Sequence, residues 1–334
     1  MGLSTSQRRV VRLLLYAIGS IAIVGLFVWP PLSYPPDTPT RGLQGAFAHL
    51  HSITNESLGV EKVFAISLAS RLDKRDNIVL GSSVSGFNVE FIDAMTPDQV
   101  NPKTYPYLDG RMLTRCNGDI MEDDTDWDVS LKTQLQTFAI AVRALQGLDD
   151  CTTNSPYGDD WDILWLGHCG LECGTNQPPD DARLTCTISD GVCSIVYAVS
   201  FRGAQRILAA LSVNPSDIAD RIDIGAKFDV SLGRMCGSGY LRCFAPYPLL
   251  TGGYRPAGPA TKGSDINGPD ASPEAPFDGP IEGPFSNGVM YSTMLNINRL
   301  IRGERTVVST WEDAPVLEVD YGSIPVLGGI SQAV

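Results

Sequence analysis

Hydrophobic and polar positions along the chain predict alternating strands and helices. Residues 63–68 and 161–167 are short apolar runs typical of buried strands, and residues 87–92 alternate like a further strand. A charged turn at residues 70–76 opens a helix between the first two strands of the chain. A strand, a helix and a strand in this order predict an α/β fold with a parallel sheet.

Further along the chain, the pattern predicts an amphipathic helix over residues 129–148, because apolar residues recur at steps of three and four. These residues are Leu131, Leu135, Phe138, Val142 and Leu145. The pattern also predicts strands at residues 193–200 and 241–245 and helices at residues 202–211, 228–235 and 289–302. Residues 251–288 are rich in Pro, Gly, Asp and Ser and predict a long loop, and residues 304–334 form a tail without assigned structure.

The N-terminal segment has the pattern of a membrane anchor. Arg8, Arg9 and Arg12 precede an apolar run that we place at residues 13–32. Because positive charges remain on the cytoplasmic side, residues 1–12 are predicted to be a cytoplasmic tail and the rest of the chain to be luminal. Residues 33–60 are then a stem. The alternative is a cleaved signal peptide, although no clear small-residue cleavage site follows the apolar run.

Composition narrows the possible partners and the compartment. The net charge of −13 argues against nucleic acid, since phosphate binding needs clustered Lys and Arg. The eight cysteines are an even number, which beyond a signal anchor favours disulfide bonds in an oxidising compartment. Their pairing cannot be read from the sequence.

The most distinctive chemistry is an acidic cluster directly before the predicted amphipathic helix. It places five carboxylates within seven residues: Glu122, Asp123, Asp124, Asp126 and Asp128. Carboxylate oxygens bind hard divalent cations and leave coordination positions for phosphate oxygens. The alternative is a solvated acidic turn whose last residue, Asp128, caps the next helix.

The order of several sequence blocks resembles glycosyltransferase family 25, the group related to lipooligosaccharide and collagen galactosyltransferases, and in particular its fungal members. VFAISLASRLDKRD (63–76) resembles the opening strand and basic turn of the family, and IMEDDTDWD (120–128) resembles its strand ending in Glu-Asp-Asp. Further similar blocks lie at residues 87–94, 160–170, 197–208, 228–233, 241–248 and 263–268. The resemblance covers about residues 60 to 303.

This resemblance implies a nucleotide-sugar-binding fold of the GT-A type, with a mostly parallel central sheet, over residues 61–303. It implies a single-pass type II protein of the Golgi or endoplasmic reticulum membrane. The implied reaction is the metal-dependent transfer of a sugar, expected to be galactose, from a UDP-sugar to a glycan or glycoprotein acceptor. Mn²⁺ would bridge the diphosphate of the donor.

The family motifs also assign roles to individual residues. Glu122, Asp123 and Asp124 match the metal-binding acidic motif, with Asp123 and Asp124 the preferred ligands. Arg71 would lie near the nucleotide, and Ser264 and Asp265 near a closing loop.

An inverting transfer also needs a carboxylate that accepts the proton of the acceptor hydroxyl. Asp162 and Asp229 are the candidates, and Asp229 is preferred. The alternative roles are structural: Asp162 ends a loop, or Asp229 caps a helix. His168 and Trp165 are predicted to be core residues, whereas Trp127 is either a core residue or a sugar platform.

The chain departs from the family pattern before the acidic cluster. Family members carry a helix with a Gly-x-x-Gly-Cys-x-x-Ser-His-like motif there, but only 27 residues separate Ala94 from Glu122 and the motif is missing. This departure supports an alternative function. The chain would then be an inactive relative that serves as a luminal glycan-binding or scaffold protein.

Overall fold

The structure, a computed structural model, describes residues 49–96, 99, 122–148, 155–174, 184–213, 227–259, 262 and 281–323. All of these residues belong to one compact unit, Gly42–Val334. The predicted anchor at 13–32, and Ser264 and Asp265, lie outside the described residues. Within the described ranges, no helix is both long and apolar enough to cross a membrane.

The first elements form a parallel strand–helix–strand unit, as the sequence pattern predicts. Strand β1 (Phe64–Ser67) leads into helix α1 (Leu72–Ser85), and β2 (Glu90–Asp93) pairs with β1 in parallel. Helix α1 ends because Gly86 adopts a left-handed conformation (φ 68°) that an L side chain rarely takes.

A five-stranded sheet forms the centre of the described structure, in the order β5-β6-β8-β4-β7. Its strands are β4 (Ile163–Gly167), β5 (Gly170–Cys173), β6 (Leu184–Val192), β7 (Val196–Val199) and β8 (Cys243–Tyr247).

The prediction of a mostly parallel central sheet is wrong for these strands, since only β4 and β8 run parallel. The other neighbouring pairs, β5–β6, β6–β8 and β4–β7, are antiparallel.

Three helices pack near this sheet. Helix α2 (Leu131–Leu145) follows the acidic cluster, α3 (Phe201–Leu208) follows β7, and α4 (Phe228–Gly237) precedes β8. The predicted apolar face of α2 is confirmed, because four of its five residues are buried in one core cluster: Leu131, Leu135, Phe138 and Val142. Burying each such side chain contributes about 1.5–3 kcal/mol.

The C-terminal part of the chain differs most from the predicted pattern. A three-stranded antiparallel sheet contains β3 (Thr125–Trp127), β9 (Thr251–Arg255) and β10 (Phe285–Asn287), so the predicted loop at 251–288 begins and ends in strands. The predicted helix at 289–302 is reduced to α5 (Ile297–Ile301), and the predicted tail contains the hairpin of β11 (Thr306–Val308) and β12 (Glu318–Asp320).

Three disulfide bonds confirm the prediction from the cysteine usage. They are Cys169–Cys193, Cys173–Cys186 and Cys236–Cys243. Cys169–Cys193 joins the residues that flank β5 and β6, and Cys173–Cys186 links these two strands to each other. Cys236–Cys243 joins the end of α4 to the start of β8.

Candidate functional site

The acidic cluster meets the carboxyl end of β1 through Asp123. The hydroxyl of Ser67, the last residue of β1, donates to Asp123 Oδ2 at 2.7 Å. The ammonium group of Lys74, in the first turn of α1, contacts Asp123 Oδ1 at 2.5 Å. Ligands of α/β proteins bind beyond the carboxyl ends of strands, so Asp123 lies at a position suited to a site.

The neighbouring carboxylate, Asp124, is paired with a second cation. Arg255, the last residue of β9, donates from Nη1 to Asp124 Oδ2, and the amide of Tyr254 donates to the carbonyl oxygen of Asp124 at 2.6 Å. Burial lowers the pKa of Arg255, whereas Glu122 and Asp123 raise it. A guanidinium group stays charged in proteins, so two adjacent carboxylates each face one cation.

The last two carboxylates of the cluster have structural roles. Asp126 is fully buried and accepts hydrogen bonds from the amides of Trp127 (2.8 Å) and Met294 (3.2 Å) and from the hydroxyl of Ser292. Burial raises the pKa of Asp126. Asp128 accepts a hydrogen bond from the amide of Ser130, directly before α2, at 2.9 Å. It thus organises the start of that helix, which agrees with the capping role that the sequence offers for Asp128.

The acidic motif, as arranged, does not fit a divalent metal ion. Within the described residues, no three or more His, Cys, Asp or Glu side chains are grouped to hold one. Both oxygens of Asp123 already bind protein groups. Two like unit charges about 4 Å apart near a protein surface repel by about 4 kcal/mol, and a divalent ion beside Lys74 doubles that. The expected manganese site stays a prediction that this arrangement does not favour.

Arg71 lies in the turn that leads into α1. It pairs with Asp73, with Nε–Oδ1 at 3.0 Å, and that hydrogen bond holds the pKa of Asp73 below its usual value. Nη2 of Arg71 also donates to the carbonyl oxygen of Lys262 at 2.7 Å. Lys262 is two residues before Ser264, so the basic turn contacts the start of the segment that is predicted to close over the nucleotide.

Asp162 lies at the opposite end of β4 from the acidic cluster. It is fully buried and bound by the side chains of Arg202 (2.7 Å) and Arg206 (2.9 Å) and by the amide of Arg242 (2.9 Å). Burial disfavours its charged form, but these hydrogen bonds outweigh burial and hold the pKa of Asp162 below its ordinary value. This environment suits a structural anion better than a proton acceptor.

Asp229 lies in the first turn of α4, where it accepts a hydrogen bond from the amide of Cys193 at 2.8 Å. Cys193 has a left-handed backbone (φ 64°) in the connection between β6 and β7. The same connection contains Ile195, whose carbonyl oxygen accepts from the amide of Glu122 at 3.2 Å. Asp229 therefore supports the connection that contacts the acidic cluster. Asp162 instead binds Arg202, Arg206 and Arg242.

The residues with predicted core roles are buried. Trp127 is 1% exposed, lies 5.0 Å from the ring of Phe87 and donates from Nε1 to Ser85, so it is a core residue and not a sugar platform. Trp165 is also buried, as predicted. His168 contacts the carbonyl oxygen of Pro246 at 3.2 Å, and burial lowers its pKa, which confirms it as a satisfied core histidine.

Roles for Lys74 and Arg255 are not predicted from the sequence. Lys74 belongs to the charged turn at residues 70–76, and its position one turn after Arg71 is the local signal for its contact with the cluster. Arg255 is 131 residues from Asp124 and ends a glycine-rich segment, so local pattern gave no signal for this contact.

A separate apolar cavity of about 560 Å³ lies between β1 and β7. Its walls include residues of β1 and β7, the side of α2 and two tryptophans, for example Phe64, Ala198, Leu131, Leu135, Trp127 and Trp161. Trp127, whose amide donates to Asp126, is one of these walls, but the charged residues of the candidate site do not line the cavity: Glu122, Asp123, Asp124, Lys74 and Arg255. This cavity is therefore distinct from the candidate site.

Comparison of the chain with known protein families, with curated proteins and with solved structures finds no match. The resemblance to glycosyltransferase family 25 consequently rests on the sequence blocks alone. Function has to be argued from those blocks and from the contacts at the acidic cluster.

Proposed function

We propose that the chain is a glycosyltransferase with a GT-A-like fold that transfers a sugar from a UDP-sugar to a glycan or glycoprotein acceptor. The observation that carries this proposal is the position of Asp123, which meets Ser67 and Lys74 where β1 ends and α1 begins. Nucleotide phosphates bind at this position in α/β folds because helix N-termini and strand ends converge there. The resemblance makes galactose the expected sugar.

The chain supplies cations for the leaving group. Departure of the sugar leaves negative charge on the diphosphate, and charged donors placed there stabilise it. We assign this role to Arg71, beside the segment that precedes Ser264, and to Arg255, beside Asp124. Each already pairs with a carboxylate, Asp73 and Asp124 respectively, so the diphosphate would compete with these pairs.

Asp229 is the candidate base. It lies at the start of α4 and is held by the amide of Cys193, in the connection that contacts Glu122. A carboxylate at this place would accept the proton of the acceptor hydroxyl as that oxygen attacks the sugar.

The disulfide bonds support the proposed compartment. Three bonds among the described residues are typical of a protein that folds in an oxidising lumen. The proposed setting is the Golgi or endoplasmic reticulum membrane, with residues 13–32 as the anchor.

The second candidate function is an inactive relative that acts as a luminal glycan-binding or scaffold protein. The charges at the acidic cluster favour it. Glu122, Asp123 and Asp124 carry three negative charges against the two positive charges of Lys74 and Arg255, leaving one negative charge (−3 + 2 = −1). Such a balance disfavours a diphosphate unless further positive charge is supplied.

Titration calorimetry with UDP on the full-length chain in mild detergent distinguishes the two functions. A glycosyltransferase binds UDP, in buffer with or without Mn²⁺, and UDP-galactose competes for the site. Arg71→Met should weaken that binding at least about tenfold, because it removes a charge-assisted contact. Arg302→Met, which removes an exposed arginine of the α5 region, is the matched control and should bind like the parent. Absence of UDP binding in folded protein under both conditions would leave the inactive relative.

A further inference from the structure

We propose that Asn55 is a site of N-linked glycosylation, modified as the chain enters the oxidising lumen. The sequence Asn55-Glu56-Ser57 is an Asn-x-Ser acceptor whose middle residue is not Pro. It is the one acceptor of this kind in the whole sequence, because the similar run at residues 214–216, Asn-Pro-Ser, has Pro at the excluded position. This modification rests on the proposed compartment and is independent of the proposed transferase reaction.

The modification is a group transfer to the side-chain amide of Asn55. Its donor is a lipid-linked oligosaccharide diphosphate, and its catalyst is the oligosaccharide transferase of the lumen. Nδ2 of Asn55 forms a bond to the anomeric carbon of the first sugar, while the bond from that carbon to the diphosphate oxygen breaks. Nδ2 gives up one proton, and the lipid diphosphate leaves with the bonding electrons. No oxidant or reductant is therefore needed.

The acceptor lies at the surface of the described structure. Asn55 and Glu56 are both exposed. Asn55 directly follows a short 3-10 helix (Ser52–Thr54) and has an extended backbone, with φ −74° and ψ −178°. A glycan is bulky and hydrated, so the fold can only accept one where the asparagine lies in solvent. The fold therefore has room for a glycan at Asn55.

The hydrogen bonds of the Asn55 side chain use its oxygen. Oδ1 accepts from the amide of Ser57 at 2.8 Å and from the hydroxyl of Ser57 at 3.0 Å, which is the arrangement of an Asx turn. Within the part of the chain that the structure describes, Nδ2 of Asn55 donates to no protein group. The atom that would carry the sugar is therefore not needed to hold the turn.

The backbone around the acceptor is fixed to the folded domain. The amide of Asn88 donates to the carbonyl oxygen of Glu56 at 2.8 Å, and the side chain of Asn88 donates to the carboxylate of Glu56 at 2.6 Å. Nζ of Lys132, in α2, donates to the carbonyl oxygens of Thr54 (3.0 Å) and Gly86 (2.7 Å). These contacts give the attached glycan a defined place on the molecule.

That place is at the opposite end of the β1–α1–β2 unit from the candidate site. Asn88 lies two residues before β2 and Gly86 directly after α1, so the acceptor is near the start of β2 and the end of α1. The candidate site lies where β1 ends and α1 begins. The 14 residues of α1, at about 1.5 Å each, separate its two ends by about 21 Å. The glycan therefore leaves the candidate site open to UDP.

The test uses the full-length chain, expressed in a eukaryotic host and purified from its membranes in mild detergent. Peptide N-glycosidase removes the whole glycan and leaves aspartate at the attachment position, which peptide mass spectrometry identifies. We expect one glycan per chain, an electrophoretic shift on enzyme treatment and aspartate at the position of Asn55. The asparagine of residues 214–216 should stay unmodified.

Three variants separate the modification from the structural role of the turn. Asn55→Asp keeps an oxygen that accepts from Ser57 but has no amide nitrogen, so the variant should lose the glycan completely while the turn persists. Ser57→Ala removes the hydroxyl that the acceptor sequence requires and should also lose the glycan. Ser57→Thr keeps a hydroxyl and is the matched control, with glycosylation like that of the parent.

Three results would overturn the proposal. The first is a parent chain whose mobility and mass do not change on treatment with peptide N-glycosidase. The second is an enzyme-dependent shift that persists in Asn55→Asp, because the glycan would then be attached elsewhere. The third is loss of the glycan from Ser57→Thr to the same extent as from Ser57→Ala. UDP binding is measured on the same preparation, so a failure of the proposed transferase function is recorded separately.

Discussion

At the scale of single residues, two buried carboxylates show how their partners decide their charge. Asp162 is surrounded by arginine side chains, whereas Asp126 is held by amides and a hydroxyl. Burial raises the pKa of Asp126 above its ordinary value although its hydrogen bonds oppose the shift, whereas at Asp162 hydrogen bonds from the amide of Arg242 and from two arginine side chains outweigh burial and hold the pKa below its ordinary value. The two residues should therefore give the folded protein opposite dependences on pH.

Asp162→Asn should lower the free energy of unfolding by about 2–4 kcal/mol at pH 7, because it leaves hydrogen-bonding cations without their anion. The contribution of Asp162 is present above the unfolded pKa near 4 and is lost as the pH falls through its lower folded pKa. Urea unfolding at several pH values measures it. Asp159→Asn, at an exposed position, is the control and should change little. Equal stability of both variants would contradict the structural role.

Asp126→Asn should leave the protein as stable as the parent at pH 7, or more stable, because no charge is then buried. The folded state holds its proton on Asp126 at pH values where the unfolded state has lost it. The parent therefore loses stability as the pH rises above about 4 towards the raised pKa, and the variant lacks this loss. The difference in unfolding free energy between pH 4 and pH 7 tests the sign. The prediction would be refuted if the parent had a larger unfolding free energy than Asp126→Asn at pH 7, by a wider margin than at pH 4.

Lys74→Met should increase the affinity for Mn²⁺ by at least about tenfold, since it removes the cation that contacts Asp123. Free Mn²⁺ measured by electron paramagnetic resonance gives the affinity. Lys62→Met, at an exposed ion pair with Glu90, is the control and should leave Mn²⁺ binding unchanged. Tight Mn²⁺ binding by the parent, with no effect of Lys74→Met, would show that Lys74 does not oppose the metal.

At the scale of elements, strong periodicity led to correct predictions and weak periodicity did not. Helix α2 follows regular apolar spacing and strand β1 lies in a continuous apolar run, and both predictions are confirmed. Strand β9 was missed because two of its five residues are glycine. Gly252 is required there, since a Cβ atom would collide with the carbonyl oxygen of Asn287 in the neighbouring strand.

The predicted helix at 289–302 is short for a reason that no local pattern contains. The amides of Tyr291 and Met294 donate to the side chains of Asp128 and Asp126, which are far away in sequence. Backbone groups satisfied in this way do not need helical hydrogen bonds. The strand that the sequence predicts directly before the acidic cluster lies outside the described residues, and β3 (Thr125–Trp127) lies within the cluster. The contacts of the cations Lys74 and Arg255 with the cluster are of the same long-range kind.

Each disulfide bond should add to the free energy of unfolding, and the contribution should grow with the number of residues in the loop that the bond closes. Replacing Cys169 and Cys193, separated by 24 residues, should cost the most, and replacing Cys236 and Cys243, separated by 7, the least. The expected cost is about 3 kcal/mol for a loop of 15 residues, close to the 13 residues of Cys173–Cys186. Urea unfolding of the three double-alanine variants gives the order. A reversed order would show that native contacts outweigh loop closure.

At the scale of the whole molecule, the acidic cluster joins three parts of the described structure. It contacts the β1–β2 unit through Ser67 and the five-stranded sheet through Ile195, while Arg255 ties it to the three-stranded sheet. Its carboxylates therefore contribute to tertiary structure as well as to the candidate site. Substitutions there will change stability and ligand binding together, and folding has to be measured beside every binding constant.

The contact between Glu122 and Ile195 has a thermodynamic consequence. This hydrogen bond joins the proposed UDP site to the connection between β6 and β7, which the Cys169–Cys193 disulfide also holds. If UDP binds better when this disulfide is formed than when it is reduced, linkage requires UDP to favour the formed disulfide by the same factor. Titrating UDP into the two forms, and measuring the thiol–disulfide equilibrium with and without UDP, would then give one coupling constant from two independent experiments.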